Sequence, residues 1–592
     1  MSVTMIDVHR KTREYRHERG VALLVVLFIV MAISILSLGF VSRSDTELAC
    51  GRNMLLHAQM DQLADSGLEH ARGLILEPQD VPSDYWSGAT GQQIMAESDD
   101  YYDVSVTRDP ADRCTYEIAC EAYRMKSVEK TGRSLLLAEL RLDPYISLWT
   151  GADLIFRPHW SLQGDLYCAD AVTNLGVNTI DGDAFSKLLT GPISGHHKMP
   201  TDLSPGLLVW PPVTSAYINT DYTEIPIGPG LVTEATYTTA HVWRCSGNLV
   251  LGNNVAIDGM LLVDGNLSIA GNGGRITAAK NLPALYVRGD LTVEEISGFV
   301  VQGLAVVDGN VKVSAASSGV SVLGALFTRK TLLETASDSG GGNHDCIVCG
   351  APIWQTMGGR NGGGALEFDG VDDRLDETLA GTYLNGLSAI TISCWVKSDR
   401  VQEDHGIVGA FDALNAGRCP ALEYSATGAS GGASNCIAAA VSTNAGVARV
   451  ESGPNAQTTN WQHLALVWKS GDKVQLYING VLVVPSYETG PLSGTIASIQ
   501  RLSLGLGASG QYWDGLIDDV RIYSVALSSG DIYPPRDGLS GLLAHWKLDE
   551  PGSDVTITAE PAKSAIAAWA PPNSYTYWSP TAGAFFRSIR RQ

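Results

Sequence analysis

The feature that most constrains this chain is an unbroken run of 21 uncharged, mostly apolar residues from Val21 to Val41, V-A-L-L-V-V-L-F-I-V-M-A-I-S-I-L-S-L-G-F-V. As a helix rising about 1.5 Å per residue, the run spans roughly 31 Å, the thickness of a bilayer's hydrocarbon core. Ahead of it, Arg10, Lys11, Arg13, Arg16 and Arg19 outnumber Asp7, Glu14 and Glu18. That excess holds the N-terminus in the cytoplasm and sends the remainder across. The expectation is an inner-membrane, single-pass protein with periplasmic or extracellular C-terminal domains. A cleaved secretory signal would need a shorter apolar region and a small-x-small site. Here the pattern runs on instead, with Met60, Leu63, Ala64, Gly67, Leu68, Ala71 and Leu74 at three- and four-residue spacing. The two segments read as one rod of about 55 residues, roughly 80 Å long.

A basic leader ending at Arg19-Gly20, then V-A-L-L-V-V-L, then A-D-S-G-L-E-H-A from Ala64 to Ala71, resembles PilX-type minor pilins and the K-type minor pseudopilin of type II secretion. The resemblance implies prepilin peptidase cleavage between Gly20 and Val21, and assembly proteins of a pilus or type II secretion machine as partners. Major pilins carry a glutamate five residues into the mature chain, where this chain has Val25. Without that glutamate a subunit loses its pairing to a neighbour's N-terminal ammonium. Val25 therefore favours a tip or priming subunit over a bulk fibre subunit.

The full chain of 592 residues is too long for one core. Its 45% hydrophobic and 18% charged content is that of a folded protein, and 63 glycines without a G-X-Y period point to a β-rich body with many tight turns. The net charge of −22 repels phosphate backbones, so nucleic acid is excluded as a partner. Alternation of apolar and polar residues in Tyr101 to Val106, Cys114 to Tyr123 and Ser134 to Leu142 predicts a small meander against the outer half of the rod. Export would permit disulfides, and Cys114–Cys120 and Cys419–Cys436 are near enough in sequence to pair, although connectivity stays open.

Four copies of one pattern begin at Gly247, Gly265, Gly289 and Gly309 (G-N-L-V-L, G-N-L-S-I, G-D-L-T-V, G-N-V-K-V), spaced by 18, 24 and 20 residues. Short strands with Gly-Asn or Gly-Asp corners at near-constant period predict a short β-solenoid. The expected reason for glycine is a left-handed corner. Gln163 to Cys168 fits as an earlier rung. Beyond it, Cys346-Ile347-Val348-Cys349 supplies half a tetrahedral zinc site, with a disulfide or a structural turn as the competing readings.

From Gly363 to Ile532 the blocks A-L-E-F-D-G-V-D-D, I-T-I-S-C-W-V-K, W-Q-H-L-A-L-V-W with V-Q-L-Y-I-N-G-V-L-V, and G-L-I-D-D-V-R-I-Y resemble a laminin-G-like, concanavalin A-type jelly roll. Each block alternates inward apolar and outward polar residues, and Trp395 and Trp461 are large enough to anchor the core. The family's H-W-K-L-D-E strand stands late, at His545 to Glu550, so either the domain is circularly permuted or a truncated second copy follows. The resemblance implies glycan or protein ligands. Asp372, Asp373, Asp518 and Asp519 offer oxygens to Ca²⁺, the one cofactor the sequence admits, or else cap turns. No E-x-D-x-x-E cluster is present, so the expectation is a non-enzyme.

The predicted fold is mainly β. It comprises a leader (1–20), a transmembrane helix (21–41), a pilin-like stem and meander (42–150), a solenoid (151–335), a Gly-rich linker with the C-x-x-C (336–364) and a jelly roll (365–592).

Overall fold

The computed structural model describes residues 18–76, 86–110, 115–142, 146–202, 223–278, 282–360, 362–429, 433–558 and 584–591. Helix α1, Glu18–Leu76, is continuous over 59 residues, about 88 Å at 1.5 Å per residue. Its apolar stretch is exposed throughout, from Leu23 to Val41. The outer half buries one face, with Met60, Ala64, Leu68, Ala71 and Ile75 against Tyr116, Ile118, Cys120, Leu136 and Leu140. Gly67 permits that approach, since a Cβ there would strike Cys120 Sγ and Tyr102. The sheet against α1 is the expected antiparallel meander of Gly88–Gln92, Asp100–Arg108, Thr115–Lys126 and Glu129–Leu142. A fifth strand, Ala584–Arg591, closes it by pairing with Glu129–Leu142 from Leu142↔Ala584 to Leu136↔Arg591. Arg591 then reaches Asp61 at 2.9 Å and Asp65 at 3.2 Å on α1.

The middle body is a three-sided parallel solenoid, entered at Ile146–Thr150. The chain first lays rungs through residue 198, then resumes at Glu224–Ile227 at the opposite end of a ten-stranded face and works back. Leu326–Thr328 finally pairs with Ile146–Thr150, joining the two stretches. The inward residues of all three faces make one core, including Trp160, Leu166, Leu249, Ile257, Leu267, Phe299 and Val313.

The corner glycines need a correction. Gly247, Gly265, Gly289 and Gly309 are absent from the positive-φ residues, so left-handed backbone is not why they are glycine. Instead, Asn248 Oδ1 accepts the Asn266 N–H, Asn266 Oδ1 the Asp290 N–H, and Asp290 Oδ1 the Asn310 N–H, each at 2.9 Å. A Cβ on Gly265, Gly289 or Gly309 would collide with the acceptor oxygen of the rung below. The left-handed corners are different ones, Gly259, Gly303 and Gly324, with φ of 132°, 130° and 143°.

After Leu332–Ala336 the chain leaves the solenoid with one side of that rung unmade. It builds a two-sheet sandwich and returns as Val555–Thr558, which inserts between Ser318–Leu323 and Trp160–Gln163 to supply the missing side. Residues 365–592 are therefore not one body. The sandwich lies inside the solenoid's sequence, and the solenoid lies inside the stem's. The segment expected as a Gly-rich linker is also structured: Cys346–Cys349 pairs with both Leu332–Ala336 and Arg374–Glu377. Its two cysteines are three residues apart on a strand, hence on opposite faces, and both are free. They do not pair with each other.

The sandwich core gathers Leu366, Phe368, Ile392, Val396, Leu464, Trp468, Trp513 and Trp546. Leu542–Trp546 pairs with one half of Asp514–Tyr523, and Ala365–Asp369 with the other half, in the same orientation. The late strand thus lies end to end with the strand it would ordinarily precede, and Gly364 N–H donates to Asp549 Oδ1 at 2.7 Å across the junction. Leu542–Trp546 therefore belongs to the sandwich's own sheet.

Ending the full-length chain at residue 583 should open the Glu129–Leu142 edge. Strand 584–591 makes several backbone bonds, each worth about 1 kcal/mol net, so the stem should lose several kcal/mol. Proteolysis within 86–142 is the readout, with sandwich peptides unchanged.

Candidate functional site

The motif F-D-G-V-D-D forms the turn between Ala365–Asp369 and Arg374–Glu377. Asp369 Oδ1 accepts the Val371 N–H at 2.8 Å, fixing the turn, and Gly370 has φ 75°. Asp373 is buried, accepting N–H groups from Ala351 at 2.5 Å and Asp369 at 3.0 Å. Burial pushes its carboxyl up to about 6, against those two hydrogen bonds and with repulsion from Asp369 and Asp372. The side chains of Asp369, Asp372 and Asp373 each bring an oxygen within 4.8 Å of the others, the one such carboxylate, His or Cys group among the described residues. Hard oxygens at that spacing suit Ca²⁺, whose remaining ligands would be carbonyls and water.

The four expected aspartates therefore do not make one site. Asp372 and Asp373 join Asp369, which the sequence reading passed over. Asp518 instead accepts the Arg360 N–H at 2.8 Å, and burial raises its carboxyl to about 7. Asp519 bonds His545 and Arg521, each at 2.7 Å, which lowers its pKa despite desolvation, the largest single influence on it. Both bonds fall on Oδ1, so that oxygen is already engaged within the jelly roll.

The cysteine expectation is also corrected. Gly417–Ser425 and Cys436–Thr443 are antiparallel neighbours in the register Ser425↔Cys436 and Pro420↔Val441. Cys419 and Cys436 consequently sit at opposite ends of the pair, about 20 Å apart at 3.3 Å per residue, and both are free. Cys114 lies outside the described residues, and Cys120 is a buried thiol in the stem core, pushed up to about 12 by desolvation. Gly20 and Val21 lie on the backbone of α1.

A second polar cluster lies on the other face of the sheet that carries Trp395. Trp395 is buried but lies outside the cluster that fills the sandwich, and Trp461 is only partly buried. Instead Trp395 sits under the Arg360 guanidinium, 4.7 Å from its ring centre, with His463 at 5.2 Å and Tyr533 at 5.9 Å. His463 is fully buried with neither ring nitrogen hydrogen-bonded. Desolvation holds it neutral, down to about 4. Only the phase of strand Ala389–Ser398 sends Trp395 to this side.

Residues 369–533 match the family model of the concanavalin A-like lectin/glucanases superfamily. The C-terminal body is a laminin-G-like jelly roll. Among solved structures, domain 4 of AbnA, a GH43 extracellular arabinanase from Geobacillus stearothermophilus in complex with arabinotriose, is 21% identical. That match covers 31% of this chain and 80% of that one, at TM-score 0.23. The receptor-binding domain of a botulinum neurotoxin C/D mosaic serotype is 16% identical over 33% of this chain and 46% of that one, at TM-score 0.26. The binding domain of Paraclostridial mosquitocidal protein 1 is 15% identical over 33% and 49%, also at 0.26. The chain thus spans about half the length of each toxin domain. No curated protein matches the chain.

If the jelly roll's acidic turn takes Ca²⁺, millimolar Ca²⁺ at pH 7.5 should raise the jelly roll's melting temperature, because Asp373 is then ionised. At pH 5 that carboxyl is protonated and the shift should vanish. Asp369→Ala with Asp372→Ala should abolish it at both pH values, read by thermal unfolding.

Proposed function

We propose that this chain is a non-catalytic minor pilin-like or pseudopilin-like surface subunit, cleaved between Gly20 and Val21, that displays its jelly roll for adhesion or ligand binding. What supports this most is the form of α1. Its apolar half is long enough to cross a membrane, with mean hydropathy 2.9 and no burial, and it continues without a break into a half that packs beneath an antiparallel meander. An inner-membrane anchor explains the exposed half, and a stem explains the covered half. Val25, itself exposed, brings no glutamate to a neighbour's N-terminus, which suits a tip or priming position.

The ligand-binding part of the reading rests on the jelly roll, and a glycan or a protein is the ligand class proposed. The acidic turn Asp369–Asp373 offers a Ca²⁺-dependent contact at its rim. The sequence lacks an E-x-D-x-x-E cluster, so recognition is preferred to hydrolysis.

Mass spectrometry of the mature N-terminus, with and without prepilin peptidase, tests the stem. A chain beginning at Val21 only when the peptidase is present is the expected result. An uncut leader, or cleavage beyond Val41, contradicts it. For the head, the full-length protein in detergent should bind a glycan or protein array without turning over polysaccharide, and measurable turnover would replace recognition with catalysis.

A further inference from the structure

The jelly roll meets the solenoid across a seam of carboxylates. Glu550, 8% exposed, accepts the Ser337 N–H on Oε1 at 3.0 Å, while its buried Oε2 has no partner. Asp338, where the chain leaves the solenoid, accepts Gly340, Gly342 and His344 N–H groups in its own turn and the His545 N–H of the jelly roll at 2.8 Å. Asp345 Oδ1 accepts the Asp338 N–H at 2.8 Å. Glu377, 3% exposed, uses Oε1 to accept the Leu379 N–H at 2.9 Å, while its buried Oε2 has no hydrogen-bond partner.

The charged neighbours of this seam are almost all acidic. Glu550 faces Glu295 of the solenoid and Asp549. Asp345 faces Asp338, Glu294 and Glu295. Glu377 faces Asp338. The basic groups at hand are already engaged. The His545 ring bonds Asp519 at 2.7 Å, and the His344 ring lies 3.9 Å from Tyr383, where desolvation lowers its pKa. Arg157 donates to the carbonyls of Val348 and Gly350 and faces Glu334 at 3.6 Å.

We propose that this seam is a proton-operated latch: protonated Glu550 and Glu377 hold the jelly roll against the solenoid, and their ionisation loosens it. Buried carboxylates without cations bind protons more tightly docked than undocked. Desolvation pushes both Glu550 and Glu377 up to about 7, above the ordinary range near 4.5. Docking is therefore fully stabilised at acid pH, weakens as pH rises through that interval, and stays weak above 7. Surroundings that change pH would then set how firmly the display domain is held. The latch rests on the fold and is independent of the ligand reading.

Hydrogen exchange on the full-length protein in detergent tests it, with intrinsic rates corrected, at pH 5.5 and 8.5. Peptides covering 332–346 and 545–553 should open at least about tenfold more readily at pH 8.5, and strand Gln462–Lys469 should not change. Glu550→Gln should shrink that ratio to about threefold or less by keeping the seam closed at high pH. Glu295→Gln, which removes only a facing charge from an exposed residue, should shift it the same way. Equal protection at both pH values, or a ratio unmoved by Glu295→Gln, overturns the latch. So does a Glu550→Gln variant that folds but opens at both.

Discussion

The pairing of Val555–Thr558 between Ser318–Leu323 and Trp160–Gln163 is the contact on which the remaining architecture depends. Without it, one rung of the solenoid lacks a side, and two neighbouring strands face a gap with unpaired backbone groups. The core residues Val320, Val322, Trp160 and Leu162 would lose their cover at the same place. A parallel stack tolerates such a gap poorly, because each rung is held only by its neighbours. The same logic repeats one level out, where Ala584–Arg591 closes the sheet on α1. Each outer body is thus completed by a strand that lies beyond the inner body in sequence.

That nesting has a mechanical consequence for display. The jelly roll is joined to the solenoid by two chain passages, not one. One is the antiparallel pairing of Leu332–Ala336 with Cys346–Cys349. The other is the return through Glu550 and Ser553, whose backbone and hydroxyl are held by Glu334. Three-sided rungs below and a two-point attachment above fix where the seam between the two bodies lies. The Arg141–Asp165 contact at 3.1 Å, buried on both sides, ties stem to solenoid in the same manner.

Much of this was legible in the sequence, because long elements announce their period. The charge-free run gave α1, alternating strands gave the meander, and the Gly-Asn repeats gave the solenoid. The jelly-roll blocks were recognisable in order, and the displaced H-W-K-L-D-E strand pairs within the same sheet as the F-D-G-V-D-D strand. What stayed hidden were decisions of partner and phase. V-T-I-T at Val555 to Thr558 reads as a strand but carries no mark of which sheet it joins. Cys419 and Cys436 are close in sequence, yet the register drives them apart. Trp395 and Trp468 look alike in sequence, and strand phase alone sends one beneath Arg360 and the other into the core. The one signal for Asp369 was its place four residues before Asp373, as a turn-capping carboxylate also able to face a cation.

The nested closure is tested most directly by native-state hydrogen exchange on the full-length protein. The amides of 555–558 and 584–591 should be protected, and they should open together with their partners at 318–323 and 136–142. Free exchange at 555–558 and 584–591, with the solenoid and meander still protected, would contradict the claim that these late strands close the bodies around them.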